Sequence, residues 1–129
     1  MPDRVATYSV LFVCMGNICR SPTAHGVLRQ RLADAGWAQR VSVDSAGTHA
    51  YHVGEAPDAR SQTHALKRGY DLSDLAARQL DDRDFDHYDL LLVMDWENYA
   101  LTEQRCPPNK KHKIRRLTEF CKVNQASVV

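Results

Sequence analysis

The feature that most constrains this chain is the abrupt change of character between residues 8 and 22. Tyr8-Ser-Val-Leu-Phe-Val13 is a short run of aliphatic, aromatic and β-branched residues. It gives way to a turn-forming stretch holding Gly16 and Asn17, and then to Ser21-Pro22, a pair that signals a helix start with Ser at the N-cap and Pro at the first helical position. A largely apolar run of that length predicts a strand covered on both faces, as in a parallel sheet. Beyond Pro22, the residues Ala24, Val27, Leu28, Leu32 and Ala35 recur at helical spacing, and Gly36 supplies a stop.

The remaining pattern continues in kind. Val41-Ser-Val-Asp44 reads as a second strand, ending in the turn-prone Ser45-Ala-Gly-Thr48. A loop containing Tyr51, Gly54 and Pro57 leads to a second helix, from near Asp58 to Gly69. Residues 81–89 are crowded with Asp and read as a solvated approach to a third strand, Tyr88–Met94. Asp95 is placed to cap a helix over residues 96–105, Pro107-Pro108 breaks it, and residues 113–120 read as a fourth strand. Alternation in this order predicts an α/β fold: a three-layer, doubly wound, four-stranded parallel sheet of the flavodoxin-like type. Right-handed crossovers then put the first helix alone on one face and the next two on the other. A fourth helix is wanted to complete the first face, and the sequence stops at Ser127-Val128-Val129 without supplying it.

With 129 residues, residues 1–129 are expected to form a single domain. The formal net charge of +1 gives no general reason to expect nucleic acid or an acidic membrane as partner. No apolar run approaches the roughly 18 residues of a membrane span, and Met1-Pro-Asp-Arg-Val-Ala-Thr7 lacks the basic and apolar blocks of a secretory signal. The cytoplasm is the expected compartment. Four cysteines, Cys14, Cys19, Cys106 and Cys121, then read as thiols with chemistry rather than as staples. His49-x-x-His52 sits in a loop without partnering cysteines, so no metal and no cofactor is expected. Lys110-Lys-His-Lys113 with Arg115 and Arg116 reads as a solvated edge able to steer an anionic partner.

The chemistry concentrates in Val13-Cys14-Met15-Gly16-Asn17-Ile18-Cys19-Arg20-Ser21-Pro22, between the carboxyl end of a strand and the amino end of a helix. Ligands of open α/β sheets bind there. Successive N–H groups of Met15, Gly16, Asn17, Ile18, Cys19 and Arg20 can form an anion nest, to which the helix adds its positive end. Gly16 allows a turn without a Cβ penalty, and Asn17 tolerates a left-handed conformation. Arg20 offers a planar fork of donors to two oxygens of a phosphate. The same field favours thiolate at Cys14, and Ser21 is placed to donate to that sulfur. A thiolate facing a tetrahedral anion is a nucleophile for phosphoryl transfer.

This segment resembles the phosphate-binding loop of the low-molecular-weight protein tyrosine phosphatases, nearly residue for residue. Agreement extends to Asp44-Ser-Ala-Gly-Thr48, Pro57-Asp-Ala-Arg60, Ala77-Arg-Gln79 and Met94-Asp95. The resemblance implies that Cys14 forms a phosphocysteine, that Arg20 clamps the transferring group, and that Asn17, Ser21 and Ser45 hold the loop in shape. It further implies a reversible Cys14–Cys19 disulfide, places Tyr51 at the substrate cleft, and makes phosphotyrosine protein the substrate. Cys106 and Cys121 read as incidental thiols. Asp58 and Arg60 are expected to cap the second helix and brace the loop before it.

Two departures stand out. The family often carries a His just before Ala-Arg-Gln that supports the loop; the corresponding residue here is Leu75, which cannot hydrogen-bond. The family's general acid is the Asp of an Asp-Pro-Tyr loop followed by a closing helix, and the sequence holds no Asp-Pro pair. The expectation is impaired turnover of phosphotyrosine, slow cleavage of activated aryl phosphates and, through an uncovered sheet face, self-association. Two other functions share the motif: a thiol-coupled arsenate reductase, for which Cys106 and Cys121 are the distal thiols, and a non-catalytic phosphate- or phosphotyrosine-binding module.

Overall fold

The computed structural model describes residues 8–120. Four strands, β1 (Tyr8–Cys14), β2 (Val41–Gly47), β3 (Leu90–Val93) and β4 (Ile114–Arg116), form one sheet in the order β2-β1-β3-β4. All neighbours are parallel, with Leu11 opposite both Asp44 and Leu91. The helices are α1 (Arg20–Asp34), α2 (Ala59–Lys67), α3 (Asp84–His87) and α4 (Trp96–Arg105). The predicted α/β parallel architecture is the one observed.

The central strand β1 is buried on both faces, as its unbroken apolar run requires. Alternate residues feed two cores. Leu11, Val13, Leu91, Val93 and Ile114 pack with Phe85 from α3 and Cys106 after α4 on one face. Val10, Phe12, Cys14, Leu92 and Met94 pack with Ala24 and Leu28 of α1 on the other. Beyond α1 on that second face, Phe12, Leu90, Leu92, Met94, Leu117 and Phe120 border an open apolar groove of about 700 Å³.

Helix boundaries follow local chemistry. Gly36 and Gly69, at φ +81° and +92°, follow the ends of α1 and α2 in the left-handed region where a side chain would be strained. Asp58 caps α2 by accepting from Ser61 N–H at 3.1 Å, and Asp95 caps α4 by accepting from Asn98 N–H at 2.8 Å.

Four expectations need correction. Ser21 is not the N-cap of α1: the helix begins at Arg20, Cys19 is the cap residue, and no side chain caps it. The second helix does not cover the opposite sheet face but lies alongside α1. Asp58 N–H donates to Ile18 C=O at 2.6 Å, and Leu72 packs where a Cβ on Gly26 would stand. The Asp-rich stretch is not merely a solvated approach, because it folds into α3 with Phe85 fully buried and Asp84 accepting from Arg78 at 3.0 and 3.2 Å. The fourth strand is only Ile114–Arg116, flanked by 3-10 turns at Pro108–Lys113 and Leu117–Phe120. Glu119 takes the Arg116 N–H at 2.8 Å and so ends the ladder.

Candidate active site

The site is assembled where β1 runs into α1. Residues 15–19 make a succession of bends, and Asn17 adopts φ +58°, the left-handed conformation its side chain was expected to tolerate. Among the described residues, the main-chain N–H groups of Met15, Gly16, Asn17, Ile18 and Cys19 donate to no protein acceptor. A run of successive free donors leading into a helix N-terminus, where the dipole adds positive charge, suits an anion cradle. The uncapped start of α1 fits the same design, because a capping side chain would occupy the donors an anion needs.

Gly16 serves a purpose other than the expected one. Its φ is not positive; instead, a Cβ there would lie 2.8 Å from Cδ2 of His52. The His52 ring therefore closes over the loop because residue 16 has no side chain. Gly47 plays a similar part below. A Cβ at Gly47 would stand 2.7 Å from Met15 C=O and 3.0 Å from the Gly16 carbonyl carbon. Thr48 N–H donates to Cys14 C=O at 2.8 Å and His49 N–H to Met15 C=O at 2.9 Å, so the end of β2 grips the loop by its backbone.

Cys14 is 3% exposed, at the floor of the loop. Its Sγ lies 3.0 Å from Ser21 Oγ, and Ser21 Oγ donates to Asn17 Oδ1 at 2.7 Å. Asn17 Nδ2 in turn donates to Ser45 C=O at 3.3 Å, which fixes the orientation of the amide. A hydroxyl has one proton. While that proton is given to Asn17, the sulfur–oxygen contact is filled by the thiol proton. Once sulfur is thiolate, Ser21 can turn its proton to sulfur at the same distance.

The chain of contacts continues through a residue that sequence reading missed. His25 Nδ1 lies 3.0 Å from Ser45 Oγ and 4.0 Å from Asp44 Oδ1. Burial pushes the imidazole below its ordinary value, more than the Asp44 charge raises it. Leu75 is half-buried and hydrogen-bonds through its backbone alone, so Ser45 receives its imidazole from α1 instead. The loop is not deprived of a histidine after all. The available signal was the spacing: His25 lies four residues after Ser21 and so shares its helix face. Asp44 also accepts from Arg78 at 3.1 Å and from Tyr88 at 3.3 Å. Burial and the Asp44 charge push the Tyr88 hydroxyl up to about 12. Burial alone would lower Arg78, but its bonds to Asp84 and the charge of Asp44 hold it above its ordinary value.

Arg20 sits at the edge of the loop with Nη1 3.0 Å from Asp95 Oδ2. The same carboxylate caps α4, so the start of α4 holds the guanidinium beside the cradle. Tyr51, 69% exposed, stacks on His49 with ring centroids 5.0 Å apart and meets His52 edge-on. These three rings form a wall next to Met15 and Gly16. Cys19 is exposed, and its Sγ contacts Ser61 Oγ at 3.1 Å; Cys14 and Cys19 are both free thiols. The Arg60 side chain makes no hydrogen bond or ion pair with a described residue. Cys106 is buried on the other sheet face, and Cys121 lies outside the described residues. The basic run is largely engaged within the molecule, Lys110 with Asp86, Lys113 with Phe85 C=O and Arg115 with Glu119. Among the described residues no His, Cys, Asp or Glu cluster could hold a metal ion, and no helix is long and apolar enough to cross a membrane.

A parallel α/β sheet presenting a cysteine under an N–H cradle, with an arginine at its rim, defines a phosphate-loop protein with a thiol at its centre. The chain belongs to the low molecular weight phosphotyrosine protein phosphatase family, whose model matches residues 9–128. It is 41% identical over 115 residues to the low molecular weight protein-tyrosine-phosphatase of Streptomyces coelicolor, covering 88% of this chain and 70% of that one. The structure is similar to YfkJ from Bacillus subtilis, with TM-score 0.92, 32% identity and coverage of 98% of this chain and 80% of that one. It is likewise similar to a protein tyrosine phosphatase of Entamoeba histolytica crystallised with Hepes in its active site, with TM-score 0.90, 36% identity and coverage of 94% and 77%.

Proposed function

We propose that this chain hydrolyses phosphotyrosine in proteins, and simpler aryl phosphates, through a phosphocysteine intermediate on Cys14. The observation that carries the reading is the run of loop N–H groups, Met15 to Cys19, with no protein acceptor among the described residues directly after Cys14, whose Sγ lies 3.0 Å from Ser21 Oγ. The three non-bridging oxygens of a phosphoryl group are received by the N–H groups of residues 15–20 and by the Arg20 guanidinium, which leaves Asp95 to reach them. The Cys14 thiolate gives an electron pair to phosphorus while the aryl oxygen departs with the P–O pair. Water then attacks phosphorus, the S–P bond breaks, and the pair returns to sulfur, to which Ser21 donates. Aryl phosphates of acidic phenols, whose oxygen leaves without a proton, are the most reactive substrates.

Asn17, Ser45 and Gly47 keep the loop in register in this reading, and Tyr51 flanks the aromatic ring of the substrate. Inorganic phosphate, the product, occupies the same cradle. Residues 1–129 act as one domain in the cytoplasm, where phosphorylated protein is found. The apolar groove over β3 supports self-association through that face. Reduction of arsenate, the other chemistry of such a loop, needs a second thiol within reach, and the position of Cys106 on the opposite sheet face argues against it as that partner.

The test is hydrolysis of an aryl phosphate with and without vanadate. Activity inhibited by vanadate and abolished in Cys14→Ser supports the assignment; activity that survives Cys14→Ser ends it.

A further inference from the structure

A second groove, of about 760 Å³, runs between α1 and α2 and begins at Cys19 on the phosphate loop. Its far end is Arg31, twelve residues along α1, a distance of roughly 18 Å at the helical rise. Its start is tied to the loop twice, by the Asp58 N–H to Ile18 C=O bond of 2.6 Å and by the Cys19–Ser61 contact of 3.1 Å. Arg31, Arg60 and Arg68 line it, and none of the three side chains bonds to a described residue. The one carboxylate in the lining, Asp58, accepts from Ser61 N–H and Oγ.

Helix electrostatics account for two of these arginines and not the third. Arg31 in the last turn of α1 and Arg68 at the C-cap of α2 sit where a cation complements the helix dipole. Arg60 occupies the first turn of α2, where its charge opposes the dipole; the nearby N-cap carboxylate, Asp58, is bonded to Ser61, and Arg60 forms no ion pair with a described residue. A cation with no bond to a described residue, at the unfavourable end of a helix and in a groove whose lining includes Cys19 of the phosphate loop, is placed to take its counter-charge from a ligand.

We propose that the groove between α1 and α2 binds an acidic stretch flanking the phosphotyrosine of a protein substrate. The proposal rests on the phosphatase reading and adds a specificity to it. About five to six extended residues span the groove at 3.2–3.4 Å each, with carboxylates facing Arg60 near the loop and Arg68 and Arg31 further along. The contacts are solvent-exposed and therefore act mainly on encounter and on KM, and they weaken with salt.

The experiment compares three phosphotyrosine peptides, with three Glu before the phosphotyrosine, three Glu after it, or neutral residues on both sides. Substrates are tested on the wild-type chain and on Arg60→Glu/Arg68→Glu, with an aryl phosphate as the control lacking flanks. The expected result is a preference of about tenfold in kcat/KM for one acidic peptide at low ionic strength, carried by KM and reduced severalfold by 0.5 M salt. The double variant loses or reverses that preference and keeps wild-type kinetics on the aryl phosphate. Equal rates on all three peptides, or a preference that survives the double variant, overturns the proposal. Should the wild-type chain hydrolyse nothing, the same peptides are titrated by fluorescence anisotropy. Tighter binding of one acidic peptide, lost in the double variant, then supports the groove while the phosphatase reading fails. Equal binding, or tighter binding of a single-stranded oligonucleotide than of either acidic peptide, overturns it.

Discussion

His25 Nδ1 lies 3.0 Å from Ser45 Oγ, joining the buried face of α1 to the end of β2 directly beneath the phosphate loop. Ser45 is also where Asn17 anchors, through the 3.3 Å bond from Nδ2 to the backbone carbonyl. The loop thus rests on one residue of β2 that α1 holds from below. A neutral imidazole suits the place, because the site is buried and the ring is pushed below its ordinary value.

Replacement of His25 by Leu strands the Ser45 hydroxyl in a buried site and is expected to cost about 1–3 kcal/mol in denaturant unfolding. The pH dependence has a definite sign. The unfolded chain protonates His25 near its ordinary 6.5, the folded chain only at lower pH. Its contribution is complete above 6.5 and is lost as pH falls through that value toward the folded pKa. Stability measured from pH 8 to pH 5 is expected to drop less steeply in His25→Gln than in the wild-type chain.

Ser21→Ala removes the donor for the thiolate and for the departing sulfur. Turnover of an aryl phosphate is expected to fall by about ten- to a hundredfold in kcat, while KM, set by the loop N–H groups and Arg20, changes little. An unchanged kcat would show that the 3.0 Å contact has no part in the chemistry.

Gly47→Ala places a methyl group 2.7 Å from Met15 C=O, against backbone that has no flexible end to yield. Overpacking of this kind costs about 1–3 kcal/mol, and here the strain falls on the loop itself. Both unfolding and phosphate affinity are expected to worsen, with affinity read by competitive inhibition of aryl phosphate hydrolysis.

Phe120 is exposed at the rim of the apolar groove. Phe120→Glu is expected to weaken self-association in sedimentation velocity across a concentration series, without altering aryl phosphate turnover. A wild-type chain that stays monomeric at every concentration contradicts self-association through this face.

Local chemistry was readable in the sequence. The strand of Tyr8–Val13, the caps at Asp58 and Asp95, the glycine stops at 36 and 69 and the left-handed Asn17 all follow from residue types and their neighbours. The residues that escaped act at a distance along the chain. His25 looks like any helix residue until β2 brings Ser45 beneath it. Asp95 is readable as a cap, whereas its 3.0 Å pairing with Arg20 needs β3 beside β1. Gly47 could be read as a turn residue, but its reason is the loop passing over it. Ser21 is half legible: its contacts with Cys14 and Asn17 follow from the motif, whereas the Ser-Pro pair suggests an N-cap that the structure does not form.

The central claim is that Cys14 becomes phosphorylated. Rapid acid quench of the wild-type chain with an aryl phosphate, followed by mass spectrometry of the peptide carrying Cys14, reads this directly. The account requires a phosphoryl adduct on Cys14 that appears during turnover and is absent in Cys14→Ser. Turnover with no adduct on Cys14 at any quench time, or an adduct on another residue, would contradict it.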